Sequence, residues 1–305
     1  MKKKNNINDE FTVILRSIGE RTTSLCYKLI KKQISEKNIH LVRETPNVKA
    51  IRKYYEIAIE SNKKWTFVID ADILIKTNCI NEFFYYTKNV SKNIFCIEGF
   101  IIDKFLDSPR PGGRILRTSL LQTAYKLIPD AKDTIRPDSY IRNSMQKLGY
   151  NFIKTNIIIG LHDYEQYYKD IYRKSFVQAK KHNCKVKKII NFWEQRQNQD
   201  NDFKIALKGF NDGEKYNGKI TIDACYFKEN FLEQRLEACN LSEKKNLTQN
   251  NELEIEKSID LMSDFGTFVL HKRQEIINEL KHSWNYKIGN IILLVPKLIF
   301  NFFKS

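Results

Sequence analysis

Residues 64–72, Lys-Trp-Thr-Phe-Val-Ile-Asp-Ala-Asp, decide the reading of this chain. Trp65 to Ile69 is a continuous apolar run of strand length, rich in β-branched and aromatic side chains, and it stops abruptly at Asp70. A run that is apolar on both faces fits a strand buried within a sheet. Asp70 and Asp72, flanking the small Ala71, then fall at the carboxyl end of that strand, the edge where open α/β sheets bind ligands. Hard carboxylate oxygens there suit Mn²⁺ or Mg²⁺, and such an ion commonly also takes oxygens of a substrate diphosphate. The D-x-D pattern is short, and many copies are only solvated turn residues, so its weight comes from the strand before it.

Working outward, the first half alternates strand and helix patterns. Phe11 to Leu15 reads as a strand, and Thr22 to Gln33 as a helix with Leu25, Leu29 and Ile30 at helical spacing. Asn38 to Val42 reads as a second strand. Thr45 then suits an N-cap and Pro46 the first helical position, opening a helix with Val48, Ile51, Tyr55, Ala58 and Ile59 on one face. This alternation predicts an α/β fold with a mostly parallel sheet flanked by helices. Ile94 to Ile102 reads as a strand pair or one bent strand, interrupted at Glu98-Gly99, and the Pro- and Gly-bearing stretch Ser108 to Arg114 as a loop. Asp138 to Leu148 reads as a helix closed by Gly149, and Phe152 to Ile159 as the last core strand. From Gln195 to Ser258 the polar composition predicts loops and exposed helices at the periphery. Residues 259–282 are again helical in pattern, and 288–303 are strongly apolar. The chain therefore divides into a catalytic α/β domain over 1–194 and a mainly helical C-terminal extension over 195–305.

The 305 residues, 42% of them hydrophobic, suffice for one large core or a core with an appendage. A formal net charge of +16 favours anionic partners: nucleic acid, anionic lipid headgroups or phosphorylated small molecules. Cys26, Cys79, Cys96, Cys184, Cys225 and Cys239 are scattered without a CxxC pair, which reads as reduced thiols of a cytoplasmic protein. The basic start Met1 to Asn6 lacks the apolar core of a signal peptide, and no apolar run reaches membrane-spanning length.

Several residues around the D-x-D carry further chemistry. His162-Asp163 follows the apolar run Ile157 to Leu161, and His162 there fits an Asp/His metal site; alternatively Asp163 caps a helix beginning at Tyr164. Asp138, near a helix start, fits a general base that takes a proton from an acceptor hydroxyl, or simply an N-cap; Asp130 and Asp133 compete for the role. The loop from Arg16 to Thr22 joins Arg16, Glu20 and Arg21 to a helix N-terminus, a combination suited to a nucleotide's phosphates or sugar. Glu44, ending the second strand, suits a ribose hydroxyl, and each of these is otherwise an ordinary exposed charge. The basic run Arg173 to Lys188 reads as a solvated helix face, or, with the apolar C-terminus, as a patch facing an anionic membrane surface.

The succession ILRSIGERT, HLVRETP and KWTFVIDADILI resembles the nucleotide-binding half of GT-A-fold (Rossmann-like) glycosyltransferases, in particular the bacterial family-two-like inverting enzymes, over about residues 11–175. The resemblance implies transfer of a sugar from a nucleotide-sugar donor, UDP-linked, to a hydroxyl of a surface glycan or lipid-linked precursor. It implies Mn²⁺ or Mg²⁺ on Asp70, Asp72 and His162. It further implies nucleoside contacts from Glu20 and Glu44, beside the nucleotide contacts that the first loop offers through Arg16 and Arg21, a diphosphate contact at Asp70, and Asp138 as base with Gly149-Tyr150 at the family's spacing. Pro137 stands where the family has Glu, and Pro111 to Arg114 resembles an acceptor-side loop. A nucleotidyltransferase normally brings a Gly-rich, Lys-bearing phosphate loop, and none follows Leu15. A nucleic-acid binder would interleave aromatics with its basic residues, and the run 173–188 holds just Phe176. A catalytically inactive GT-A scaffold would share every one of these features.

Overall fold

The computed structural model describes residues 6–106, 109–130, 134, 136–181, 186–218, 220 and 229–282. After a single-turn helix α1 (Ile7–Glu10), the order is β1 (Phe11–Arg16), α2 (Thr23–Lys31), β2 (Ile39–Val42), α3 (Asn47–Ser61), β3 (Trp65–Asp70), β4 (Ile73–Ile75) and α4 (Cys79–Thr87). There follow β5 (Ile94–Asp103), β6 (Arg110–Arg117), α5 (Leu121–Tyr125), α6 (Pro137–Lys147) and β7 (Asn151–His162). Helices α7 (Tyr168–Lys181), α8 (Val186–Glu194), α9 (Asn201–Lys215), α10 (Glu229–Glu237) and α11 (Gln249–His282) complete the chain.

The seven strands form one sheet in the order β2-β1-β3-β6-β5-β7-β4. Strands β2, β1 and β3 are mutually parallel; β6 opposes both β3 and β5, and β7 runs parallel to β5 and opposes β4. Five strands therefore run one way, with β6 and β4 reversed, so the carboxyl ends of β1, β2, β3, β5 and β7 share one edge. Strand alternation divides the core between the two faces. Val13, Leu15, Phe67 and Ile69 pack beneath α2, α4 and α11, whereas Ile14, Val68, Cys96 and Leu116 pack against α3, α5 and α6. Helix α3 buries Ala50, Ile51, Tyr54, Tyr55 and Ala58 at helical spacing and stops where Asn62 turns left-handed, φ 49°.

Several local expectations change. Pro46 is the N-cap of α3 rather than its first helical residue, so Thr45 lies one position further out. The stretch expected as a loop from Ser108 to Arg114 is instead the first half of β6, with Ser108 itself outside the described residues. Its pairing with β3 begins only at Arg114, so Pro111 sits where β6 has β5 alone as partner and costs no bond on the other side. Gly112 and Gly113 mark close approach: a Cβ would lie 2.5 Å from Ile101 Cδ1 at the first and 2.4 Å from Ile159 Cδ1 at the second. Strand β5 is one bent strand with an irregularity at Glu98/Gly99, as its sequence allows.

The region expected to be peripheral holds a third core. Helix α9 buries Phe203, Ile205, Ala206 and Phe210 against Tyr172 and Phe176 of α7 and Trp193 of α8. Gly209 and Gly213 admit that contact, because a Cβ would stand 2.5 Å from Tyr172 O and 2.3 Å from Phe176 O. Helix α11 lies across the sheet, with Gly266 against Ile102 and Ile158, and is tied to α2 by Lys28–Glu252 at 2.6 Å and Lys32–Glu256 at 2.7 Å. Among the described residues no helix is long and apolar enough to cross a membrane. Cys26, Cys79, Cys96 and Cys239 are free and buried, while Cys184, Cys225, Asp133 and the apolar stretch 288–303 lie outside the described residues.

Candidate active site

The shared carboxyl edge of the sheet delivers Arg16 from β1, Asp70 from β3, Asp103 from β5 and His162 from β7 to one place. Strand β6, reversed, adds Arg110 and Arg114 from its first half. Together these line a cavity of about 710 Å³, to which Glu20, Glu44, Asp138, Asp163 and Lys174 also contribute. That volume lies within the range of small-molecule sites.

On one side a charge network joins three sequence candidates. Arg16 forks onto Asp70, Nε to Oδ1 at 2.6 Å and Nη2 to Oδ2 at 3.1 Å, while its Nη1 lies 3.7 Å from Asp138 Oδ2. Asp138 is not an N-cap; Arg136 holds that position and Asp138 falls within the first turn of α6. Its Oδ1 pairs with Arg114 Nη1 at 2.7 Å and accepts from the Tyr54 hydroxyl at 3.4 Å. Burial would push the Asp138 carboxyl up, but Arg114 and then Arg16 outweigh it and hold it below its ordinary range. Asp70 is the most open member, its side chain 42% exposed toward the cavity.

On the other side lies a group suited to a cation. One ligand atom each from Asp72, His162 and Asp163 fall within 4.8 Å of one another. The structure does not bring Asp70 into this group; Asp163 stands in the place that the sequence assigned to it. Asp163 caps no helix, because it sits in a turn at φ 63° and α7 begins only at Tyr168. His162 Nδ1 lies 2.9 Å from Asp103 Oδ2 and 3.2 Å from Asp163 Oδ2, and Arg110 Nε donates to the same Asp103 oxygen at 2.6 Å, so Asp103 fixes the ring with Nε2 facing Asp72 at 3.7 Å. Burial alone would lower the imidazole, but the carboxylates of Asp163, Asp72 and Asp103 more than offset it and raise it. Lys174 Nζ donates to both Asp72 Oδ2 and Asp163 Oδ1. Burial opposes ionisation of Asp72, yet Lys174 and His162 hold that carboxyl well below its ordinary range. Asp72 Oδ1 is nonetheless buried without a hydrogen-bond partner. Three hard or borderline donors around an orphaned carboxylate oxygen fit a divalent cation.

The remaining candidates divide. Glu20 lines the cavity but also closes its own turn, accepting from the Ser17 hydroxyl at 2.7 Å and the Ile18 N–H at 2.9 Å. Burial, reinforced by the charge of Asp72, raises its carboxyl. Glu44 lies exposed at the cavity wall. Arg21 turns away, donating to Glu165 Oε2 at 2.6 Å and Lys245 O at 2.7 Å, and so ties the start of α2 to two later segments. Asp130 lies outside the cavity lining. Arg173 and Lys174, expected on a solvated face, turn inward from α7, while Lys180 is exposed. The side chains of Lys185, Lys187 and Lys188 lie outside the described residues.

Asp103 and Lys174 escape the sequence reading. Asp103 carries the signal that marked Asp70, since it too ends an apolar strand. Lys174 carries none, because a lysine within a basic run is indistinguishable from surface charge until its helix is docked.

No family model and no curated protein matches the chain. Its fold is similar to that of a glycosyltransferase involved in glycosylation of the major capsid of PBCV-1, at 12% identity and TM-score 0.36 over 48% of this chain and 82% of that one. It is also similar to a CMP:2-keto-3-deoxy-manno-octonic acid synthetase, at 6% identity and TM-score 0.33 over 49% and 90% of the two chains. A 4-diphosphocytidyl-2C-methyl-D-erythritol synthase from Anaerococcus prevotii matches at 10% identity and TM-score 0.35, over 50% and 90%.

Proposed function

We propose that the chain is a GT-A, family-two-like glycosyltransferase that moves a sugar from a nucleoside-diphosphate donor, UDP-linked, to a hydroxyl of a surface glycan or lipid-linked precursor. The observation that carries this reading is a cation-binding donor set, of which His162 and Asp163 line one 710 Å³ cavity at the carboxyl edge with Asp72 buried behind them, facing a separate ionised carboxylate on the same cavity. Asp72, His162 and Asp163 would hold Mn²⁺ or Mg²⁺, which when bound supplies Lewis-acid compensation for charge on the departing diphosphate. Arg110, held by Asp103 and His162, and Arg114, held by Asp138, line the same cavity and bring positive charge to the place of the phosphate oxygens. Glu20, Glu44 and the Arg16–Asp70 pair form the wall on which the nucleoside would rest.

Asp138 would act on the acceptor. Its Oδ1 is engaged by Arg114 at 2.7 Å and its Oδ2 faces Arg16 Nη1 only at 3.7 Å, so Oδ2 would take the hydroxyl proton as the acceptor oxygen bonds to the anomeric carbon. The bond from that carbon to the diphosphate breaks in the same displacement, so the anomeric centre inverts and the nucleoside diphosphate leaves. In this reading residues 1–194 carry the donor and acceptor chemistry and 195–305 form a mainly helical extension. Peripheral association with an anionic membrane belongs to the proposal; the net charge of +16 and the exposed Leu261, Phe265 and Phe268 of α11 support it.

A thermal-shift panel of nucleoside diphosphates with Mn²⁺ tests the donor site. A ligand at about a hundred times its Kd stabilises the fold by about 2.7 kcal/mol. Stabilisation by one nucleotide, dependent on metal and lost in Asp72→Asn, is expected. A folded chain that responds to none of them would overturn the reading.

A further inference from the structure

The centre of the Asp72–His162–Asp163 group is occupied by the chain itself. Lys174 Nζ bonds one oxygen of each carboxylate, and His162 flanks both, with Nε2 3.7 Å from Asp72 Oδ2 and Nδ1 3.2 Å from Asp163 Oδ2. The ammonium is held from a firm base. Its neighbours on α7, Tyr172 and Ser175, are 1% and 4% exposed, and the helix is clamped to α9 through Gly209 and Gly213. The ammonium leaves Asp72 Oδ1 unpartnered. The place is thus filled by a monovalent cation but not saturated by it.

We propose that Lys174 is a built-in placeholder for the divalent cation, so that the chain takes up the metal together with a nucleoside diphosphate rather than before it. This rests on the metal-dependent reading above. A dication arriving alone must break two charge-assisted hydrogen bonds and leave a displaced ammonium beside it, a like-charge contact in a partly desolvated site. A nucleoside diphosphate removes both costs, because its phosphate oxygens ligate the metal and offer the ammonium a new anionic partner. Lys174 lines the cavity that would hold those phosphates, so the exchange needs only a side-chain swing. Metal and nucleotide affinities then rise together, each by the same factor.

The test is Mn²⁺ binding read from the electron paramagnetic resonance signal of the free ion, with no turnover involved. The wild-type chain, titrated with and without UDP, tests the coupling without any substitution; UDP should tighten Mn²⁺ binding about tenfold or more. Lys174→Met, with Lys174→Gln as a second variant if the first is misfolded, should bind Mn²⁺ alone about tenfold or more tighter than wild type, and UDP should add less. Wild type binding Mn²⁺ alone as tightly as Lys174→Met, with binding lost in Asp72→Asn, would overturn the placeholder and leave the metal site standing. No Mn²⁺ binding by any of these chains, with or without UDP, while UDP itself binds, would overturn the placeholder and remove the metal from the proposed function as well.

Discussion

Replacing Asp138 by Asn separates chemistry from binding at this site. The amide keeps the shape of the side chain but removes its charge and its capacity to take a proton. Arg16 would retain its fork on Asp70, whereas Arg114 would be left with only Glu98, at 3.9 Å. The structural cost therefore falls on Arg114, whose side chain is 32% exposed, and solvent limits it to about 1–3 kcal/mol. Loss of a general base costs about 10²–10⁴ in kcat. Because Asp138 is no part of the cation-binding group, nucleotide-induced stabilisation should persist. Its carboxyl is held below its ordinary value, so its contribution to stability is present above the unfolded pKa of 3.8 and lost as pH falls through the lower folded value. The Tm gap between wild type and Asp138→Asn should accordingly hold steady from about pH 5 to 8 and close below about pH 4. The assays are nucleoside-diphosphate release under saturating donor and a thermal melt at each pH. Turnover within about threefold of wild type would refute the assignment of Asp138 as base. So would nucleotide stabilisation vanishing along with activity.

Other outcomes follow from particular contacts. Gly160→Ala would place a Cβ 1.9 Å from Leu74 O, forcing β4 away from β7; a loss of about 3 kcal/mol or more is expected in chemical denaturation. The two arginines of the first loop should part company. Arg16→Met should weaken nucleotide binding in calorimetric titration, whereas Arg21→Met should leave it unchanged and lower stability by about 1–2 kcal/mol, having lost only its ties to Glu165 and Lys245. Phe265→Ser with Phe268→Ser should reduce flotation on vesicles containing anionic lipid, and equal recovery of wild type with and without that lipid would remove the membrane from the account.

The central strands and their edge were readable because burial on both faces leaves an uninterrupted apolar run, and Asp70 ended one of them in plain view. The same rule, applied to Ile94 to Ile102, would have found Asp103. Strand β6 was not readable, because Pro111, Gly112 and Gly113 act as breakers in any local reading; crowding by Ile101 and Ile159 explains the glycines, and the want of a β3 partner at Pro111 the proline. Strand β4 is three residues long and exists by pairing with Gly160, Leu161 and His162 far along the chain. Helix α9 reads as polar because its broad buried face includes Asp202, Gly209 and Gly213, and those glycines, poor helix formers, are there to admit α7. Of the candidate residues, Asp72, His162 and Asp138 could be picked out by their position at element ends. Asp163 for Asp70 and the inward turn of Lys174 could not, because the first depends on the pairing of β4 with β7 that sets Asp163 beside Asp72 and the second on how α7 docks.

The most direct measurement of the central claim is nucleoside-diphosphate release from a panel of nucleotide sugars by the purified chain, beside pyrophosphate release from nucleoside triphosphates and sugar phosphates. Nucleoside-diphosphate release from one donor is expected, abolished in Asp72→Asn and strongly reduced in Asp138→Asn, with no pyrophosphate. Pyrophosphate release with no nucleoside diphosphate from any donor would contradict it.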